Sequence, residues 1–276
     1  MDLKRISSGF IVAIALAIIL LIPNNIITGI LFMIITIVAV DEYFKAISKV
    51  CKPIRWLGYL SCTLVAIVNF ISKQYIPQII MCSIPFLVLI LFAQVIATDM
   101  KITFKDIAYT FLGICYIPFF MMFLSLINGM DNGKILLGYI FIASWGTDTF
   151  AFGIGAKFGK HKFSKVSPKK SIEGCIAGTV GAIILMLIYT SILNNYFSFE
   201  YSYFIVGVSG LVLSLIGQLG DFSASCIKRY VDIKDYSNLL PGHGGMLDRI
   251  DSVLFIAPFA YMLFMIIWNE GLNWQL

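Results

Sequence analysis

Charged residues are concentrated in a short stretch of this chain that lies between two apolar runs. Residues 228–252, KRYVDIKDYSNLLPGHGGMLDRIDS, contain four basic residues and four aspartates. Helical spacing places two sets of polar residues on common helix faces: Asp221, Ser225, Lys228 and Asp232 before the turn, and Asp248, Asp251 and Ser252 after it. Between the two sets, Pro241 stops a helix, and the glycines of residues 242–245 let backbone N–H groups face an anion. Carboxylates beside such a turn, with Lys and Arg nearby, indicate a site for metal-bound phosphates.

Two upstream positions extend this chemistry. Asp148 lies roughly 20 Å into an apolar segment that begins near Ile135, at about 1.5 Å per helical residue. An ionisable side chain at that depth predicts a functional site, with a structural ion pair between helices as the alternative. In Ser167-Pro168-Lys169-Lys170-Ser171, proline fixes a turn and Ser171 can cap the next helix. The free N–H groups of that helix start, together with Lys170, would favour an anion.

The elements that carry these residues are membrane helices. The chain has 276 residues, of which 59% are hydrophobic and 13% charged, whereas soluble domains hold about 25% charged residues. We therefore predict an all-α, polytopic integral membrane protein with about nine spans and a polar active site that faces the cytoplasm. The spans lie near residues 9–22, 26–47, 56–72, 76–98, 106–128, 135–156, 172–194, 203–227 and 251–269.

The distribution of Lys and Arg predicts the orientation of the spans. Of the 20 basic residues, 18 fall in the loops on the N-terminal side, and the other two are Lys73 and Lys134. The positive-inside rule makes the basic side, with the N-terminus and the active site, cytoplasmic in a multi-pass protein of the cell membrane. The net charge of +5 thus reflects membrane orientation and phosphate attraction, and it gives no reason to propose a nucleic-acid partner. For the lysines from Lys157 to Lys165 we prefer this topological explanation.

The polar residues also predict the domain organisation. They concentrate from residue 144 onward, whereas the earlier spans are almost entirely apolar. We expect residues 1–130 to form a scaffold of transmembrane helices and residues 131–276 to form the catalytic transmembrane domain. The glycines in Gly153-Ile-Gly155-Ala-Lys-Phe-Gly159 do not have the spacing of a dinucleotide fingerprint and follow a membrane helix. Close helix packing by small residues explains them better.

The same stretch resembles a known family. The string S-x-I-K-R-x4-K-D-x-S-x-x-L-P-G-H-G-G-M-x-D-R-I-D, from Ser225 to Asp251, is similar to the signature of the phosphatidate cytidylyltransferases, or CDP-diacylglycerol synthases. Trp145-x-x-Asp148 and the segment 167–174, S-P-x-K-S-x-E-G, resemble upstream motifs of that family. The resemblance covers roughly residues 144–252.

The resemblance implies a reaction class and a set of site residues as expectations. It implies an enzyme that joins CTP to phosphatidate and releases CDP-diacylglycerol and pyrophosphate. It also implies Mg²⁺ in the site, with a monovalent cation such as K⁺ beside the Mg²⁺, and a dimer in the membrane. The expected metal ligands are Asp221 and Asp248, with Asp148 and Asp251 as further candidates. The expected catalytic residues are Asp221, Asp248, Lys228, Arg229 and Asp148. The expected substrate-binding residues are Lys170, Ser171, Ser225, Lys234, Gly242, His243, Gly244, Gly245 and Arg249.

Three alternatives to this function are open from the sequence. Two are enzymes that also use CTP at a membrane: a polyprenol or dolichol kinase, and a CDP-archaeol synthase acting on ether-linked lipids. The uninterrupted signature string favours phosphatidate cytidylyltransferase over both. The third is an ion or phosphate transporter with Asp148 and Asp221 along its path, but the sequence shows no second copy of the Gly-rich break.

Overall fold

The protein is built from α-helices. The computed structural model describes residues 22, 24–71, 75–162, 164, 166–168, 170–197, 199–239 and 244–268. Its helices are α1 (Asn25–Ile47), α2 (Arg55–Ile67), α3 (Ile76–Ala97), α4 (Phe104–Asn128), α5 (Gly133–Phe158), α6 (Ile172–Phe197), α7 (Tyr203–Tyr230) and α8 (Leu247–Leu263). Within these residues an isolated strand-like bridge joins Lys162 to Ser171. The predicted all-α class is confirmed.

Seven of these helices are long and apolar enough to cross a membrane, so the protein is a multi-pass membrane protein. The exception is α2, whose 13 residues extend about 20 Å, too short for a hydrocarbon core of about 30 Å. The α2 helix ends early because the Asn69 side chain donates to the carbonyl groups of Val65 and Ala66, at 3.4 and 3.2 Å. The predicted first span, residues 9–22, lies outside the described residues except for its last residue. The predicted count of nine is therefore not confirmed.

The chain separates into two compact units, each with its own core. The first comprises Met1–Met130 with Tyr230–Arg249, and the second Asp131–Arg229 with Ile250–Leu276. In the first unit, α1 and α2 pack closely because Gly58 has no side chain where the buried ring of Phe44 lies. By contrast, α3 buries only Leu91 and leaves an apolar surface suited to lipid.

Small residues hold α5 and α6 together in the second unit. A Cβ on Gly155 would lie 3.2 Å from the Cα of Gly174, and a Cβ on Gly178 would lie 2.7 Å from the carbonyl oxygen of Thr147. Larger side chains would force these helices apart. This contact confirms the packing role for Gly155, whereas a Cβ on Gly153 would meet nothing within 4 Å, so packing does not explain that glycine.

A chain of buried polar groups joins α5, α6 and α7. Thr147 Oγ1 donates to Ser214 Oγ at 2.7 Å, and Ser214 Oγ donates to Thr179 Oγ1 at 3.2 Å. Gln218 Nε2 also donates to Thr179 Oγ1, at 2.9 Å. These bonds satisfy polar groups inside an apolar bundle, where leaving them unpaired would be costly. They also fix the rotation of α7 three residues before Asp221.

Candidate active site

The turn between α5 and α6 folds back on itself and presents Lys170. The Lys170 N–H donates to the Ser167 carbonyl at 3.1 Å, which closes the turn predicted from Pro168. The Ile172 N–H donates to the His161 carbonyl at 2.9 Å, and Lys162 pairs with Ser171. Lys170 therefore lies in a turn that backbone hydrogen bonds hold in place.

Ser171 caps α6. Its Oγ accepts the Gly174 N–H at 3.2 Å, and the residue is buried. The cap that the sequence predicts is therefore confirmed. A Cβ on Gly159 would collide with the Ser171 side chain, so glycine at position 159 leaves room for the cap.

Lys170 forms an ion pair with Asp221 of α7. Their side chains are 25% and 23% exposed, so the pair is largely withdrawn from water. The Lys170 Nζ also lies 4.3 Å from the centre of the Phe222 ring, in a cation–π contact. Because the two partners are about fifty positions apart, no local pattern in the sequence predicts this contact.

Further charges act on Lys170. Burial lowers the pKa of Lys170, and the negative charges of Asp148 and Asp251 oppose that shift. The positive charge of Lys228 adds to the lowering. Asp148 lies two residues after the end of a π-helical turn in α5, Ile142–Gly146, a feature that is frequent at functional sites. The second unit thus places three predicted aspartates in the electrostatic surroundings of one lysine.

The predicted polar face of α7 is only partly present. Asp221, Ser225 and Lys228 all lie within the helix, as expected from their spacing. Asp232 does not continue that face, because α7 ends at Tyr230 and Asp232 has a left-handed backbone with φ of 52°. Including Asp232 in the face was wrong. At the same end of α7, the Arg229 Nε donates to the Val166 carbonyl at 3.4 Å.

Asp248, in the first unit, holds two parts of the loop that precedes α8. Its buried Oδ2 accepts the N–H groups of Tyr236 and Gly245, both at 2.9 Å. Gly244 has a φ of +78°, and a Cβ there would lie 2.8 Å from the same oxygen. Glycine at position 244 thus permits both the left-handed backbone and the close approach.

The other predicted substrate-binding residues around this loop differ in their surroundings. The Nε of Arg249 is buried and has no hydrogen-bond partner in the described part of the chain. A buried donor of this kind is suited to an anionic ligand. Lys234 is exposed on the loop, whereas Gly242 and His243 lie outside the described residues.

The sequence prediction missed one buried carboxylate, Glu42 of α1. It is 4% exposed and accepts hydrogen bonds from Ser237, Met246 and Leu247. The signal was available, because Glu42 is an ionisable residue in an apolar helix, as Asp148 is.

The carboxylates fit a divalent cation that is shared with phosphates. Among the described residues, no group of three or more His, Cys, Asp or Glu side chains is placed to hold a metal ion by itself. Mg²⁺ usually takes one or two carboxylates and completes its shell with water and substrate phosphates. Asp221, with Asp148 and Asp251 acting on the same lysine, provides oxygen donors of that kind. The donor set therefore suits Mg²⁺ bound together with a substrate.

Comparison with known proteins gives a consistent result. The family model described as the cytidylyltransferase family matches residues 3–267. The phosphatidate cytidylyltransferase of Bacillus subtilis (strain 168) is 37% identical over 180 residues, which is 64% of this chain and 65% of that protein. The corresponding protein of Thermotoga maritima is 34% identical over 188 residues, 67% of this chain and 69% of that protein.

A third relative, the phosphatidate cytidylyltransferase of Staphylococcus saprophyticus, is 32% identical over 175 residues, 63% of this chain and 65% of that protein. The chain thus covers slightly less than two thirds of the length of the Bacillus and Staphylococcus relatives. The family model, however, matches nearly the whole chain. This protein belongs to the cytidylyltransferase family.

Proposed function

We propose that this protein is a phosphatidate cytidylyltransferase, which transfers CMP from CTP to phosphatidate. A phosphate oxygen of phosphatidate would form a bond to the α-phosphorus of CTP, and the bond from that phosphorus to the β-phosphate bridge would break. The products would be CDP-diacylglycerol and pyrophosphate. The observation that carries this proposal is the largely buried Lys170–Asp221 pair with Asp148 and Asp251 close enough to act on it. The names of the relatives support the same reaction.

The chemistry requires positioning more than proton transfer. A phosphate monoester has a second pKa near 6, so phosphatidate is largely dianionic at pH 7 and needs little help from a general base. Two anions must instead be brought together against their mutual repulsion. Bound Mg²⁺ would supply charge neutralisation at the reacting phosphates and at the leaving pyrophosphate.

The residues of the chain would divide this work. We propose Asp221 and Asp248 as the metal ligands, with Asp148 and Asp251 as further candidates. The proposed phosphate-binding residues are Lys170, Ser171, Ser225, Lys228, Arg229, Lys234, Arg249 and the glycines 242, 244 and 245. His243 would donate a hydrogen bond to a phosphate. The resemblance also implies a homodimer and a K⁺ beside Mg²⁺. Light scattering in detergent tests the dimer, and assays with and without K⁺ test the second cation.

One assay tests the proposed reaction. Purified protein in detergent is mixed with phosphatidate, Mg²⁺ and CTP labelled in its cytosine, and the lipid phase is analysed. We expect labelled CDP-diacylglycerol with equimolar pyrophosphate, and no product after chelation of the metal. In a parallel assay with a polyprenol and CTP labelled in its γ-phosphate, label in the lipid phase would instead establish the kinase alternative, and no lipid-phase label in either assay would refute both.

Replacing Lys170 should weaken the reaction more than replacing another lysine of the same segment. We expect Lys170→Ala to raise the KM for CTP roughly tenfold or to lower kcat by a similar factor, because a charged hydrogen-bonding group is lost. Lys160 is exposed at the other end of the turn, so Lys160→Ala should leave both constants within about twofold. Steady-state kinetics over CTP concentration measure both. Equal effects from the two substitutions would remove any special role for Lys170.

We also propose that the N-terminus and the active site face the cytoplasm. The support is the asymmetry predicted from the sequence, 18 basic residues on one side against Lys73 and Lys134 on the other, a count that takes residues 56–72 as a span although its helix α2 is short. Reporters inserted after Lys134 and after Lys170 should fall on opposite sides, with the second in the cytoplasm. Finding both reporters on one side would contradict this orientation.

A further inference from the structure

Two adjacent carboxylates of α1 have very different surroundings. The side chain of Asp41 is 30% exposed, pairs with Lys45 on the next turn and accepts from the Tyr59 hydroxyl at 2.8 Å. Glu42, one residue later, is 4% exposed. A carboxylate withdrawn from water to that extent is costly unless hydrogen bonds replace its hydration. The hydrogen-bond partners of Glu42 therefore indicate its role in the protein.

Those partners lie in two described segments, residues 236–239 and 244–247, which flank residues 240–243 and which together we call the Gly-rich loop. The Ser237 hydroxyl donates to Glu42 Oε1 at 2.6 Å, and the Met246 N–H donates to the same oxygen at 2.9 Å. The Leu247 N–H donates to Oε2 at 2.8 Å. Both oxygens are thus bonded to the loop, through charge-assisted bonds about twice as strong as neutral ones.

The three donors lie at opposite ends of the loop. Ser237 is near its start, whereas Met246 and Leu247 are at its end, where α8 begins. Glu42 therefore ties together two parts of the chain that lie about ten residues apart. It also places a negative charge at the N-terminus of α8, which the helix dipole favours.

The end of the loop is shaped to receive Glu42. A Cβ at Gly245 would lie 2.6 Å from Glu42 Oε2, so a side chain at this position would push the carboxylate away. The N–H of the same residue donates to Asp248. Gly245 thus lies between two carboxylates, and Glu42 and Asp248 each bond to both ends of the loop.

We propose that Glu42 is a positioning residue, which acts through the Gly-rich loop to set how the loop receives the phosphates of CTP. This role rests on the proposed function, which places Gly244 and Gly245 among the phosphate-binding residues, and it takes their ligand to be CTP. Glu42 itself touches no reacting atom in this scheme. Its contribution is to keep the ends of the loop together before CTP arrives, so that binding does not have to order them.

The experiment compares Glu42→Gln with Asp41→Asn, a matched loss of one negative charge on the neighbouring residue. The side-chain amide introduced by Glu42→Gln would place an NH₂ donor against one of the loop donors, so we expect the KM for CTP to rise roughly tenfold. The KM for phosphatidate should stay within about twofold, as should both constants in Asp41→Asn. Hydrogen exchange of the amides of Met246 and Leu247 should become faster in Glu42→Gln only.

The outcomes separate this inference from the proposed function. An unchanged KM for CTP with unchanged amide protection in Glu42→Gln would overturn it, and so would an equal change in both KM values with a lower melting temperature. If Glu42→Gln does not fold, Ser237→Ala decides, because it removes one of three bonds and should raise the KM for CTP about threefold. A wild-type protein that makes no CDP-lipid refutes the proposed function. In that case hydrogen exchange of the Met246 and Leu247 amides still tests whether Glu42 stabilises the loop.

Discussion

Asp221→Asn should abolish formation of the CDP-lipid, with a loss in kcat on the order of 100-fold or more, in a protein that remains folded in detergent. Asn keeps the size of the side chain but removes the charge that would hold Mg²⁺. Asp232→Asn is the matched control, because Asp232 is exposed just beyond the same helix and Asn tolerates its left-handed backbone. The control should keep near-normal activity. The measurement is initial rate against Mg²⁺ concentration for both variants.

The ion pair with Lys170 offers a competing explanation, which a double variant resolves. If Asp221 only neutralises Lys170, losing Asp221 should cost nothing further once Lys170 is absent, so Lys170→Ala with Asp221→Asn should match Lys170→Ala alone. If Asp221 also holds the metal, the double variant should stay as inactive as Asp221→Asn. Near-normal turnover of the single variant at ordinary Mg²⁺ would remove Asp221 from the metal site.

Local patterns in the sequence predicted the local features of the site. The apolar runs correspond to the helices that the structure describes, apart from the early end of α2 at Ile67. The Ser171 cap and the close approach of Gly155 to Gly174 were also predictable, because each depends on residue types a few positions apart or on small residues in a membrane helix. Such features need no knowledge of which helices become neighbours.

Contacts between distant parts of the chain could not be predicted in this way. Lys170 meets Asp221 because α7 has a fixed rotation in its bundle, and that rotation depends on buried partners such as Thr179 and Gln218. Glu42 meets Leu247 across 205 positions of sequence. The left-handed turn at Asp232 was missed for a different reason, since helical spacing alone does not show where a helix ends.

Asp248→Asn should also reduce turnover on the order of 100-fold or more, and a second substitution shows why. In the structure Asp248 shapes the loop, because its Oδ2 accepts the Tyr236 and Gly245 N–H groups. An Asn side chain retains one oxygen that can accept both bonds, so the loop should keep its form while the charge is lost. Asp248→Ala removes the acceptor as well. It should cost roughly 2–5 kcal/mol of unfolding free energy, because two buried N–H groups lose their partner.

The two variants of Asp248 thus separate charge from shape. We expect Asp248→Asn to melt near the wild-type temperature in detergent, with its activity lost at every Mg²⁺ concentration, whereas Asp248→Ala should lose both activity and stability. A metal ligand must show the first pattern, because Asn can keep the oxygen that accepts both loop bonds while it loses the charge, with an NH₂ group in place of the second oxygen. Wild-type rates in Asp248→Asn at ordinary Mg²⁺ would mean that Asp248 serves the shape of the loop alone. Equal losses of stability in the two variants would mean that Asn does not preserve the loop, and the assignment of Asp248 to the metal would then lose its support.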